Sequence, residues 1–265
     1  MHPSIHSFAS TVAIVTGGSS GIGLAVSTAL AAHGAKVVIN GRDEAKLDRA
    51  AEAIQARAAE PDSVAVLAGD ISEPATGARL AELAKQRFGA VDVLINNAGC
   101  FAPQSFLEHT EADFDQYTNV ITKGSFFAAQ GAARAMIESG GGAIVNVGSM
   151  WADRAIGATP SSAYSAAKAG VHALTRNLAI ELAGFGIRVN AVAPAVVETP
   201  IYSGFMSEDE VRDVLPTFGS MHPLGRNGIP ADIVPAILFL ASQSAGWITG
   251  SVLAVDGGVL AGSPA

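Results

Sequence analysis

Val12 to Thr16 and Lys36 to Asn40 are short apolar runs rich in β-branched residues, and the segment between them carries apolar residues at helical spacing. The unit recurs: SVAVLAG, VDVLINNAG, AIVNVGS, IRVNAVAP and SVLAVDGG each read as a short buried strand, with helical segments between most of them. Strands alternating with helices leave few folds open, and predict a parallel sheet covered by helices on both faces, an α/β doubly wound architecture. Helices are expected over residues 21–33, 43–59, 73–88, 111–138, 162–184 and 230–242. No Pro/Ser-rich linker or charge run divides the chain, so one domain over residues 1–265 is expected. Residues 199–227 interrupt the alternation, and their mixed Gly, Pro, Met and aromatic content suits a flap over a ligand.

With 49% hydrophobic and 15% charged residues, the chain can bury a large core and is not of the disordered class. Its 16 basic against 24 acidic side chains, a formal charge of -8, give no electrostatic footprint for nucleic acid or an anionic membrane. Cys100 is the only cysteine, which excludes an intrachain disulfide and fits a reducing cytoplasm. The start, MHPSIHSFAS, lacks the basic region and apolar core of a signal peptide, and no apolar stretch reaches membrane-spanning length. A cytoplasmic protein with neither a nucleic-acid nor a membrane partner, and with no metal site, is expected.

In doubly wound sheets, ligands sit outside the carboxyl ends of the strands. Here the first strand turns into its helix through TGGSSGIG. Gly17, Gly21 and Gly23 permit a tight turn and close approach of a pyrophosphate, with Ser19, Ser20 and Ile22 in the same turn and the helix N-terminus behind it. Such a turn alone reads equally as a loop, but the flanking strand and helix supply the context of a dinucleotide site. At the end of the second strand, an acidic residue would bind the 2'-hydroxyl of NAD, whereas an Arg can receive the 2'-phosphate of NADP. The chain reads Ile39, Asn40, Gly41, Arg42, Asp43 there, so Arg42 favours NADP(H), with NAD(H) the alternative. Arg42 and Asp43 also read as a solvated helix start.

Tyr164 and Lys168 lie in YSAAK, four residues apart and so on one helix face. A phenol titrates near pH 10 when unperturbed, and a nearby ammonium or an oxidised nicotinamide favours its phenolate. Tyr164 then becomes a candidate proton-transfer group. Taken alone, a Tyr and a Lys at this spacing are most often structural.

TGGSSGIG, NNAG at 96–99, Ser149 after IVNVG, YSAAK, RVNAVAP and TGSVLAVDGG occur in this order, and over nearly its whole length the chain resembles the short-chain dehydrogenase/reductase family. That resemblance implies a single Rossmann-like domain with a seven-stranded parallel sheet, assembled as a homotetramer, moving hydride between a nicotinamide and a small-molecule carbonyl or secondary alcohol. It implies that Ser149 holds the substrate oxygen, that Tyr164 gives or takes the proton, and that Lys168 binds the nicotinamide ribose while lowering the tyrosine's pKa. Asn97, Ala98 and Gly99 would pass beside the adenosine, Asp70 and Ile71 would contact adenine, and Val197 with Thr199 would hold the carboxamide. Gly, Asn and Thr at these places also read as turn residues.

Three features depart from the family pattern. Ser149 and Tyr164 are 15 residues apart, a longer interval than usual, with the extra length in GATPSS. Pro194-Ala195 stands where Pro-Gly is usual, keeping Pro194 beside the cofactor and adding a methyl group near the nicotinamide. Ile121 holds the position of a catalytic Asn that helps retain a water between the active-site lysine and solvent. Asn119 should face elsewhere on a regular helix and Thr122 is a poorly placed substitute. A cofactor-binding sensor or scaffold with weak turnover is therefore the alternative to an active carbonyl reductase or alcohol dehydrogenase. An enoyl reductase fits less well, because those relatives space the Tyr and Lys more widely. Met150, Trp151, Ala195, Ile201, Tyr202, Phe205 and Met206 form the expected substrate wall and suggest a hydrophobic or aromatic substrate; they read equally as loop packing.

Overall fold

The computed structural model describes residues 7–157 and 159–262. Part of the start read against a signal peptide, one residue of GATPSS and the last three of the expected domain lie outside the described residues. Strands β1 (Val12–Thr16), β2 (Lys36–Gly41), β3 (Val64–Ala68), β4 (Val93–Asn96), β5 (Gly142–Val147), β6 (Ile187–Pro194) and β7 (Val252–Val255) form one parallel sheet in the order β3-β2-β1-β4-β5-β6-β7. The chain's direction of travel across the sheet reverses between β1 and β4, which opens a crevice at their carboxyl ends.

Helices α1 (Gly21–Ala32), α2 (Glu44–Gln55), α3 (Pro74–Phe88), α4 (Glu111–Tyr117), α5 (Gly124–Ser139), α6 (Ser162–Glu181), α7 (Glu208–Val214) and α8 (Pro230–Ala241) complete the fold. Because strand side chains alternate, each strand feeds two cores. Ala13 and Val15 of β1 pack with Val26 and Leu30 of α1 and Ile233 and Ile237 of α8. Val12 and Ile14 pack on the other face with Leu80 and Ala84 of α3 and Ala128 and Met136 of α5.

Buried asparagines near the carboxyl ends of β2, β4 and β5 tie neighbouring segments together, since a buried amide has to find partners. Asn40 Nδ2 donates to the carbonyls of Leu67 and Gly69, both at 3.0 Å. Asn96 Nδ2 donates to Asn146 Oδ1 at 2.9 Å, and Asn146 Nδ2 to Thr175 Oγ1 at 2.8 Å. These amides fix the rim on which the site is built.

Two helices differ from expectation. The one expected over residues 43–59 ends at Gln55, whose side chain donates to the Glu60 carbonyl and accepts from the Ser63 amide, both at 3.0 Å, shaping the loop into β3. The helix expected over 111–138 is broken by a single wide π-turn at Thr118–Lys123. Its two ends are pinned: the Tyr117 phenol donates to the Ala102 carbonyl at 2.6 Å and accepts from the Ala102 amide at 3.0 Å, while Gly124 seats against Ile71. The wider turn reconciles both anchors. The segment over 199–227 is itself folded, with a tight turn at Pro200–Gly204, α7 capped reciprocally by Ser207 and Glu210, and a second turn at Leu215–Met221.

Candidate active site

A cleft of about 960 Å³ runs along the carboxyl ends of the strands from β2 to the segment after β6. At its β1 end, Gly17 and Gly21 have φ of +64° and +53°, values a side chain resists. Helix α1 begins at Ser20 without a side-chain cap, which leaves its first amides for an anion. Gly17, Ser19, Ser20, Gly21 and Ile22 line the cleft. Gly23 lies behind it, where the absent side chain lets the Gly17 carbonyl and the Asn97 amide approach α1. Asn97 also lines the cleft, but its Nδ2 is committed to the carbonyls of Thr16 and Gly17 at 3.0 and 3.1 Å, locking β4 to the glycine turn. Ala98, Gly99, Asp70 and Ile71 complete this half. An open cradle of backbone amides and small residues fits a dinucleotide.

At the β2 end, Arg42 is exposed and lines the cleft beside Gly41 and Lys46. Asp43 caps α2 by accepting from the Lys46 amide at 2.9 Å, so its carboxylate is held in a helix start. The sequence separates these two residues poorly; the structure gives them different surroundings.

The centre of the cleft is built from β5 and α6. Ser149 follows β5 with extended backbone, is buried, and accepts from the Trp151 amide at 3.3 Å. Tyr164 lies on the first turns of α6, with its phenol hydrogen-bonded to Ser149. The long interval does not separate the two hydroxyls, and within it the Pro160 carbonyl accepts from the Gln104 amide at 3.1 Å. Asp153, at the end of the turn that Ser149 begins, pairs with His172 Nδ1 at 3.3 Å and ties that turn to α6.

Lys168, one turn past Tyr164, is buried and donates to the Val147 carbonyl at 2.6 Å. Burial lowers its pKa to about 8. Burial pushes the Tyr164 phenol well above its ordinary range, and the hydrogen bond with Ser149 pulls it back only in part. The lowering that the family resemblance implies from Lys168 does not appear: the phenol is raised by burial, Ser149 alone pulls it back, and the ammonium lies 5.7 Å from the centre of the phenol ring.

Ile121 is fully buried among Tyr117, Ala163, Ala167 and Val171. Thr122 is occupied elsewhere, donating to the Ala167 carbonyl at 3.0 Å. Neither side chain reproduces an amide beside the lysine.

Beyond Tyr164 the cleft becomes aromatic. The Phe101 ring lies 4.9 Å from that of Tyr164, 5.6 Å from Phe205 and 6.2 Å from Trp151, centre to centre. Tyr117 closes one side at 6.0 Å from Tyr164, and Tyr202 extends the other at 6.1 Å from Phe205. Pro194, Ala195, Val197, Thr199, Ile201 and Met206 also line the cleft. Met150 does not reach it: it is fully buried with Val196, Leu215 and Val259 beneath Trp151, because the turn after Ser149 points it inward. Phe101 and Tyr117 were not anticipated. The signal for Phe101 was its place directly after NNAG, off the carboxyl end of β4.

A family model described as enoyl-(acyl carrier protein) reductase matches residues 17–260. Galactitol 2-dehydrogenase (L-tagatose-forming) of Cereibacter sphaeroides is 40% identical, covering 93% of each chain. The chain belongs to the short-chain dehydrogenase/reductase family. Another member, cis-4-hydroxycyclohexanecarboxylate dehydrogenase of Sinomonas cyclohexanicum, is 41% identical over 96% of this chain and 98% of its own. Among solved structures, levodione reductase superposes with a TM-score of 0.90 at 32% identity, over 96% of this chain and 99% of the other. As a member of this family, the protein is an NAD(P)-dependent oxidoreductase acting on CH–OH or C=O groups. Among the described residues no helix is long and apolar enough to cross a membrane, and no group of His, Cys, Asp or Glu could hold a metal.

Proposed function

We propose that the protein interconverts a ketone and a secondary alcohol with NADP(H) as the favoured partner, Tyr164 acting as the acid/base. The observation that carries this reading is the meeting of the Ser149 hydroxyl, the Tyr164 phenol and the Lys168 ammonium at the junction between the dinucleotide cradle and the aromatic chamber. Bound in the cradle, the nicotinamide supplies or accepts the hydride. Ser149 orients the carbonyl oxygen, and Tyr164, protonated because burial keeps its phenol neutral, donates to that oxygen as reduction proceeds. Lys168 keeps two donor positions beyond its bond to Val147, suited to the ribose of the cofactor. Thr199 and Val197 would hold the carboxamide, and Gly17 to Ile22 with the start of α1 the pyrophosphate.

The preference for NADP(H) rests on exposed Arg42 beside Gly41, with Lys46 as a second cation and no carboxylate at position 41. A single catalytic domain, a cytoplasmic setting and a homotetramer complete the proposal; the exposed Leu253 on edge strand β7 and Ile180 on α6 offer apolar surface for assembly.

The test is a screen of ketones with NADPH deuterated at C4, following both absorbance and label. Label on the carbinol carbon of the product supports hydride transfer. Ile121 favours one other reading, a nucleotide-binding sensor with weak turnover, and tight cofactor binding without label transfer to any ketone would select it.

A further inference from the structure

We infer that His172 and Asp153 are positioning residues for the reaction: as a pair they hold the Ser149 hydroxyl at the separation from Tyr164 that a shared substrate oxygen needs. The inference rests on the reaction centre proposed above and adds the part that sets its geometry.

Three side chains along one stripe of α6, at four-residue spacing, meet the carboxyl end of β5 in succession. The Tyr164 phenol bonds to Ser149, and the Lys168 ammonium donates to the Val147 carbonyl at 2.6 Å. The His172 ring takes the place that a side chain at Gly148 would fill. Tyr164 and Lys168 belong to the site already described, whereas His172 reaches past it. Its Nδ1 lies 3.3 Å from Asp153 Oδ2, and the residue is only 2% exposed.

What lies between Asp153 and Ser149 gives this contact its reach. The turn closes on itself: the Ala152 amide donates to the Ser149 carbonyl at 3.1 Å, the Asp153 amide to the Met150 carbonyl at 2.9 Å, and the Trp151 amide to Ser149 Oγ at 3.3 Å. A turn bonded in this way moves as a unit, so fixing its far end fixes Ser149. Met150 and Arg154 tie the turn to the segment after β7, through packing on Val259 and a bond to the Gly262 carbonyl at 3.3 Å. His172 ties it instead to α6, which carries Tyr164, and so sets the separation of the two hydroxyls.

The ring does this in its neutral form. Burial holds its pKa below the usual imidazole range, with Asp153 opposing and the like charges of Lys168 and Arg176 adding to the lowering. Nδ1 then carries the proton that Asp153 accepts. Nε2, buried with no hydrogen-bond partner among the described residues, stays unprotonated against Gly148.

Asp153 is exposed, so Asp153→Ala should leave the fold intact and remove the anchor. With NADPH and a ketone that the parent reduces, kcat/KM should fall about tenfold while cofactor affinity is unchanged. In a Ser149→Ala background the same substitution should cost about twofold or less, because the pair acts through Ser149. His172→Leu should match Asp153→Ala, and His172→Asn, whose amide nitrogen can stand in for Nδ1, should recover most of the rate. Equal losses in the two backgrounds, or a parental rate in Asp153→Ala, would overturn the inference. Trp151, inside the turn, gives a readout independent of turnover. In a Trp247→Phe background, which removes the second and fully exposed indole, acrylamide quenching of Trp151 should rise in Asp153→Ala. Increased quenching supports the inference even if no ketone is reduced, in which case only the proposed chemistry fails; unchanged quenching would overturn it.

Discussion

The two halves of the cleft are made of different material. The dinucleotide half is backbone and small side chains held by paired asparagines: Gly17, Gly21, the uncapped start of α1 and the Asn97 amide bound to Thr16 and Gly17. The substrate half is five aromatic side chains from four separate segments, Phe101, Tyr117, Trp151 and the pair Tyr202 and Phe205. Backbone geometry can change only by rebuilding a turn, whereas an aromatic wall changes by substitution of one residue in a loop. One fold can therefore keep its cofactor chemistry while its substrates diverge, as the names of its relatives show.

The largest effect should come from the boundary between the halves. Tyr164→Phe should retain cofactor affinity and lose about a thousandfold in kcat, since a positioned acid contributes about 10²–10⁴. Cofactor fluorescence titration beside steady-state rates measures both; near-native turnover would break the division of labour. Ser149→Ala should cost about a hundredfold, with cofactor affinity again unaltered. Arg42→Ala tests the dinucleotide half alone. NADPH affinity should drop about tenfold, with little change for NADH, and a parent that binds NADH as tightly would remove the proposed preference.

Ile121→Asn sharpens the contrast from the buried side. Among Tyr117, Ala163, Ala167 and Val171, no side chain is free to satisfy an amide, so stability should fall by about 1 to 3 kcal/mol in chemical denaturation. A stable variant with faster turnover and a smaller solvent isotope effect would instead indicate a proton path limited by the isoleucine. The smallest effect concerns Lys168. Its folded pKa of about 8 lies below the ordinary lysine value of 10.5, so between these the unfolded chain binds the extra proton and stability rises with pH. The melting temperature of the parent should gain roughly a few degrees across that window relative to Lys168→Met.

Sheet, helix order and the dinucleotide turn were legible because buried parallel strands are short apolar runs and the glycine turn sits between strand and helix. Ser149, Tyr164 and Lys168 were legible through their order with other motifs, not through spacing alone. The chamber was less so. Tyr117 reads as one more residue of a helix, and nothing in apolar periodicity reveals that its hydroxyl reaches Ala102. Met150 and Trp151 are neighbouring large side chains, and only the turn after Ser149 separates the one packed beneath the cleft from the one that lines it. The cap of α7 was readable as Ser207-Glu208-Asp209-Glu210, a Ser with Glu three residues on. It was hidden by the surrounding Gly, Pro and Met.

The wide turn at Thr118–Lys123 determines how the chain responds to losing a residue. Its hydrogen bonds close one residue later than those of an α-turn, so the helix stores one residue of slack. Deleting a single residue there lets the whole segment wind as one regular helix, and turns everything before it by about 100° relative to α5. Tyr117 would swing away from Ala102 and the chamber would lose a wall, while Gly124 could stay on Ile71 and the sheet keep its register. A deletion, ordinarily a lesion of the fold, would act at this point as a change of substrate range, and an insertion of one residue into a regular helix is the reverse step by which such a pocket can arise.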